Sequence, residues 1–249
     1  MKPIKRTASS KRLVGIFAVT RHDRAIMQPG RWANENQYPL SLPGLAHATR
    51  HGERFIEVLK RNPSIWRQIR ARGLFYTGIA SPLQRAVETD QANFLGISAK
   101  LSDEGIHVQG HHHVQNPSLA LVNTDKRFRQ YPKTRKAQQN IIGKMEQYGA
   151  GKSVPSFESQ ARVREKMHQV TEVADIFRLH GKELTRGSPV YFLNFVSHGG
   201  EKGIPIQVDY AVEALTGIKV PVGKALQRGQ SVIQLVYSDG TRRTIQVRK

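Results

Sequence analysis

Two arginines and two histidines sit in three short segments whose residue types suit phosphate chemistry. Arg21-His22 is the first, Ser81-Pro82-Leu83-Gln84-Arg85-Ala86 the second, and Ser197-His198-Gly199-Gly200 the third. A guanidinium presents a planar fork of N–H donors that matches phosphate oxygens two at a time. An imidazole held at one ring nitrogen is a nucleophile or a general acid–base at the other. Brought together, the four side chains would make an anion pocket with two imidazoles inside it.

Each segment follows an apolar run. Residues 13–20 are continuously apolar up to Thr20, as in a strand buried on both faces; residues 74–79 and 190–196 read as a second and a third strand. Ligands of open α/β sheets bind outside the carboxyl ends of the strands, so three such strands in one sheet would deliver the three segments to one crevice. Between them, Leu45, Ala48, Phe55, Ile56 and Leu59 mark a helix over 44–60. Ser81-Pro82 reads as the start of a helix running to about Phe94, with Ser81 as N-cap. Val163, Met167, Val170, Val173, Ala174 and Phe177 recur at helical spacing within 158–180. The chain ends in a predicted hairpin, 231–237 and 244–247 around Ser238-Asp239-Gly240. This alternation implies a three-layer α/β/α sandwich around a mainly parallel sheet. Residues 105–155 break the pattern and read as a basic insertion, over the sheet edge or as a lid. The chain is otherwise read as one domain, 1–249, with a basic N-terminal arm over 1–12.

The 249 residues include 39 Lys and Arg against 19 Asp and Glu, for a formal net charge of +20. The apolar fraction of 38% without glycine is enough for a core and excludes global disorder. The absence of cysteine excludes a disulfide scaffold, thiolate catalysis and cysteine zinc sites. No apolar run approaches the roughly 20 residues of a membrane helix. Leu13–Val19 follows Lys11-Arg12 but leads into Arg21-His22-Asp23-Arg24 rather than a small-residue cleavage site, so a strand is preferred to a signal peptide and a cytoplasmic protein is expected. Basic residues cluster over 2–12, 126–144 and 219–249. Such charge attracts nucleic acid, anionic membrane, phosphoproteins or multiply phosphorylated small molecules, and a solvated basic surface accounts for it equally well.

In order along the chain, the motifs resemble those of the histidine phosphatase superfamily, the phosphoglycerate-mutase-like proteins. Arg21-His22-Asp23 resembles the family's Arg-His-Gly. Ser81 to Thr89 matches Ser-Pro-Leu-x-Arg-Ala-x-x-Thr in full, and Val196 to Gly200 matches Val-Ser-His-Gly-Gly. Weaker similarities are Pro39 to Gly44, before the first helix, and Phe157-Glu158-Ser159, before the long one. The resemblance spans about residues 13–237. It implies a phosphoglycerate-mutase-like fold and a metal-independent phosphomonoesterase that needs no cofactor. His22 would become a phosphohistidine, while Arg21, Arg85 and His198 would hold the phosphoryl oxygens. Asp103 fits the family's acid by its spacing after Leu101, and Glu104 is the alternative. Gln28 stands where the family has a phosphate-contacting asparagine, and Gly199 accompanies it on the substrate side. The implied substrate is a phosphorylated small molecule or a phosphoprotein, with nucleic-acid or other polyanion contact through the basic surface. A phosphomutase, and a non-catalytic relative that binds phosphorylated or polyanionic partners, are the alternatives. Asp23 replaces the family's glycine; its carboxylate is expected to point away from the pocket or to pair with Arg24.

Other motifs receive plainer readings. Adjacent histidines 111–113 would point to alternate faces of a strand and make a poor metal site. Gly149 to Ser153 imitates a nucleotide loop, but Glu146 stands at its first required glycine. His47, His51, His107, His168 and His180 are assigned structural roles.

Overall fold

The computed structural model describes residues 11–26, 37–119, 139–140, 143–144, 147–148, 152–154, 158–184, 187–197, 199, 206–221 and 223–247. Strand β1 (Leu13–Arg21) is followed by helices α1 (Leu42–Lys60) and α2 (Pro63–Arg72), β2 (Leu74–Ala80), α3 (Gln84–Asp103) and β3 (Val108–Gln115). Then come a 3-10 turn (Pro117–Leu119), α4 (Gln160–His180), β4 (Val190–Ser197), α5 (Gln207–Thr216) and the hairpin of β5 (Ser231–Tyr237) and β6 (Arg242–Val247). They build one six-stranded sheet in the order β3-β2-β4-β1-β5-β6. Strands β3, β2, β4 and β1 are mutually parallel, while β5 runs antiparallel to β1 and β6 antiparallel to β5.

Strand β1 is buried at all nine positions because it lies inside the sheet with helices on both faces. On one face Phe55, Ile56 and Leu59 of α1, Ile65 and Ile69 of α2, and Ile97 and Leu101 of α3 pack on Ile16, Tyr76, Phe192 and Leu235. On the other, Val163, Met167 and Ala174 of α4 and Val208, Ala211 and Leu215 of α5 pack on Val14, Phe17, Val19 and Phe195. This is the three-layer sandwich expected from the alternation of elements. Helix α1 begins at Leu42, where the Ser41 hydroxyl accepts the Gly44 N–H.

Two elements differ from the sequence reading. The helix after Ser81 starts only at Gln84, with Leu83 in the cap position and no side-chain cap, so Ser81 is not its N-cap. It also runs on to Asp103, because Ile97 and Leu101 keep the buried stripe going past Phe94. Residues 108–115, expected within the insertion, are instead the sheet's edge strand β3, paired with β2. The central part of the expected lid, 120–138, and residues 1–10 of the basic arm lie outside the described residues.

A polar seam crosses the sheet on the α1–α3 side. Asp90 of α3 is 1% exposed. Its Oδ1 accepts from the Tyr76 hydroxyl and from Asn194 Nδ2 (2.9 Å), and its Oδ2 from His113 Nδ1 (2.6 Å). A carboxylate only accepts, which orients the Asn194 amide, so Oδ1 of Asn194 takes the Thr20 hydroxyl proton at 2.7 Å. Thr20 having spent its proton, Ser231 donates to it at 2.6 Å, and His51 Nε2 donates to Ser231 at 2.7 Å. Every bond in the row therefore points toward Asp90. Burial, with the Asp90 charge beside it, pushes the Tyr76 hydroxyl well above its ordinary pKa and keeps it a donor. Gly78 makes the room: a Cβ there would lie 1.6 Å from Asp90 Oδ2. Gly78→Ala is expected to lower unfolding free energy by about 2–4 kcal/mol, from overpacking and disturbance of the buried carboxylate, read by urea denaturation.

Candidate functional site

The strand ladders run past the strand ends and lace the three motif segments together. Arg21 pairs with Ser197 at the last register position of β1 and β4. His22 N–H donates to the Ser197 carbonyl at 3.1 Å, Ser81 N–H to that of Val196 at 2.9 Å, and Asn116 N–H to that of Ala80 at 2.8 Å. The loop before β5 closes the other side: Arg21 N–H donates to Gln230 at 3.1 Å and Gly229 N–H to Arg21 at 3.2 Å.

His22 is buried, at 5% exposure. Its Nδ1 lies 2.8 Å from the Asp23 carbonyl, an acceptor only, so Nδ1 carries the proton and Nε2 is left an acceptor. Arg85 Nε donates to Nε2 at 3.3 Å. Burial, then the charge of Arg85, with smaller effects of Arg21 and Arg228, holds the imidazole well below the usual 6.5, against the pull of the Asp23 carbonyl. At neutral pH the ring is thus a neutral base among cations, with the tautomer a phosphorus nucleophile needs.

Arg21 is held from behind. Arg21 Nη1 donates to the Leu226 carbonyl at 2.9 Å. Buried Asp209 of α5 fixes that residue by accepting Leu226 N–H at 2.8 Å, and its other oxygen accepts Ile206 N–H at 3.1 Å. Burial raises the Asp209 carboxyl to about 6, opposed by those two bonds and by Arg21. Gly199 lies against the Arg21 stem, where a Cβ would come within 2.3 Å of Cδ. Arg85, buried, stands in the first turn of α3, at the positive end of its dipole. The Thr89 hydroxyl donates to the Arg85 carbonyl at 2.7 Å and accepts Asp23 N–H at 3.1 Å, tying α3 to the exit of β1.

Arg21, His22, Arg85 and Gly199 are therefore brought together; Gln28 and His198 lie outside the described residues. Asp103 and Glu104 are not part of the site. Asp103 is the last residue of α3 and Arg85 is in its first turn, and this 20-residue helix is about 30 Å long. Asp103 is exposed there, and Glu104 pairs with Lys60. Asp23 does not pair with the Arg24 guanidinium; its carboxylate accepts the Arg24 main-chain N–H at 2.7 Å and bonds His47 Nδ1 of α1. His47 thus belongs to the surroundings of the site. Arg228 and Asp209 lie outside the three motif segments and have no motif spacing: Arg228 precedes the antiparallel strand β5, and Asp209 stands in α5. Histidines 111–113 do alternate: His111 stacks on Phe94, and His112 lies against Phe75. Among the described residues no cluster of three or more His, Asp or Glu could hold a metal, and no helix is long and apolar enough to cross a membrane.

No protein-family model matches the sequence, and comparison with curated proteins finds no match. Solved structures share the fold. A mycobacterial glucosyl-3-phosphoglycerate phosphatase aligns over 95% of this chain and 97% of its own, with TM-score 0.50 and 16% identity. The alpha-ribazole phosphatase of Shigella flexneri aligns over 94% of this chain and 96% of its own, with TM-score 0.50 and 12% identity. The phosphoglycerate-mutase-like fold implied by the motifs is the fold the chain adopts.

Because the folded state resists protonation of His22 while the unfolded chain takes a proton near 6.5, stability is lost as pH falls below that value. NMR titration of the His22 ring is expected to give a midpoint well below 6.5. His22→Asn is expected to flatten the part of the stability–pH curve that this group contributes.

Proposed function

We propose that the protein is a phosphomonoesterase working through a phosphohistidine at His22. The observation that carries this reading is the His22 imidazole itself, neutral, proton-fixed on Nδ1, with Nε2 facing Arg85. In the first step Nε2 forms a bond to phosphorus as the bond to the ester oxygen breaks, and the leaving oxygen takes its proton from solvent water. Arg85 and Arg21 hold the phosphoryl oxygens and offset the charge that builds on them. The Asp23 carbonyl stabilises the ring, which gains positive character as phosphorus is captured. In the second step water attacks phosphorus, inorganic phosphate leaves, and the neutral ring is restored. Positive charge from guanidiniums takes the place that a metal fills in other phosphatases, so turnover is expected to survive excess chelator. The basic surface favours a multiply anionic substrate, a phosphorylated small molecule or a phosphoprotein. His198 and Gln28 complete the phosphate site in this reading.

One observation favours a second reading. With Asp103 and Glu104 at the far end of α3, neither can protonate a leaving group. A phosphate-binding relative without turnover has no need of that acid. Such a protein would bind phosphorylated or polyanionic partners with an affinity that falls steeply with salt.

Hydrolysis of an aryl phosphate in chelator separates the two. His22→Ala is expected to lower kcat/KM by at least about 10³-fold and Arg85→Gln by about 10²–10³-fold. Asp103→Asn is expected to leave it unchanged. Acid-labile phosphate trapped on wild type and missing from His22→Ala is the direct readout. No turnover and no trapped phosphate, with salt-sensitive polyanion binding, would give the second reading precedence.

A further inference from the structure

Asp23 is the residue at which the chain departs from the motif it otherwise matches, and it is anchored at every polar group it has. Its N–H donates to Thr89 at 3.1 Å, and its carbonyl accepts His22 Nδ1 at 2.8 Å. Its carboxylate takes Arg24 N–H at 2.7 Å on one oxygen and His47 Nδ1 on the other. The Asp23 side chain is 6% exposed and that of His47 19%.

His47 is held in place independently. The start of α1 is docked on the residue after Asp23: Ser41 N–H and the Ser41 hydroxyl both donate to the Arg24 carbonyl, at 3.0 and 3.1 Å. Gly44 is so close to that carbonyl that a Cβ would lie 2.3 Å from its oxygen. From the opposite side Gly229, at φ +63°, covers the pair; a Cβ there would come within 2.5 Å of the His47 ring and 2.6 Å of Asp23 Oδ2. The carboxylate and imidazole are therefore clamped between α1 and the loop that also carries Arg228.

We infer that Asp23 and His47 are positioning residues: the His47–Asp23 bond locks the Asp23 peptide so that its carbonyl holds the His22 proton on Nδ1 and aims Nε2 at phosphorus. This rests on His22 being the nucleophile, but the lock on the ring is measurable without catalysis. A buried pair of this kind contributes little net stability once desolvation is counted. Its effect is on geometry, where small misplacements of a reacting group have large effects on rate.

Two readouts test it. In ¹⁵N-histidine spectra, wild-type His22 is expected as the Nδ1–H tautomer, and His47→Ala as a mixture of both tautomers. On an aryl phosphate, His47→Ala is expected to lower kcat about 10–100-fold while KM moves less than about 3-fold. His47→Gln, which returns a side-chain N–H toward Asp23, is expected to recover most of both. If His47→Ala does not fold, His47→Met, which keeps the bulk and removes the donor, is read in the same way. A wild-type tautomer and wild-type kcat in the variant that lacks the donor would overturn the inference. If wild type forms no phosphohistidine yet the tautomer responds to the variant, the lock stands and the catalytic reading falls.

Discussion

The carboxylate of Asp90 is the constraint on which the arrangement depends. A charge this deeply buried is tolerable only when hydrogen-bonded on all sides, and the donors that meet the requirement come from β2, β3 and β4. Meeting it docks α3 on the sheet at one height and one rotation. Arg85 stands five residues before Asp90 on the same helix, so the docking that satisfies the carboxylate also delivers the guanidinium to the strand ends. Thr89, adjacent to Asp90, passes the same registration to the exit of β1 through its bonds to Arg85 and Asp23.

Above that seam the electrostatics run the other way. Arg21, Arg85 and Arg228 surround an imidazole that stays neutral because it is buried among them. Three guanidiniums thus place like charge around one neutral ring. Asp209 offsets part of this through Arg21 and the Leu226 main chain, and it is itself only weakly acidic. In the phosphatase reading, a phosphate dianion bound here would be stabilised by that charge.

The strands that carry the three motifs were legible because burial on both faces makes them continuously apolar, and residues at their ends were legible by type. Strand β3 was not, because it lies at the edge and is largely exposed, so Val108–Gln115 shows neither an apolar run nor clean alternation. Asp103 was misplaced for a related reason. Its spacing after Leu101 fits the family's acid, while Ile97 and Leu101 continue a helix whose polar residues hide the periodicity. The pairing of Asp23 with His47 links residues of β1's exit and α1, and only the docking of α1 on Arg24 reveals it. Arg228 escaped notice because a strand that enters the sheet antiparallel borders the pocket with the residues before it, not after it.

The place of β1 in the sheet also sets the order in which the molecule can come together. It is the first of the described strands along the chain, yet its two neighbours, β4 and β5, begin only at Val190 and Ser231. Both edges of this apolar strand are therefore closed by partners distant in sequence. Closing such distant pairs is entropically slow, and an unpaired strand of this kind is prone to wrong association. The lysines and arginines around it, from Lys11-Arg12 to Arg21 and Arg24, place like charge beside the strand, which opposes association of unfolded copies.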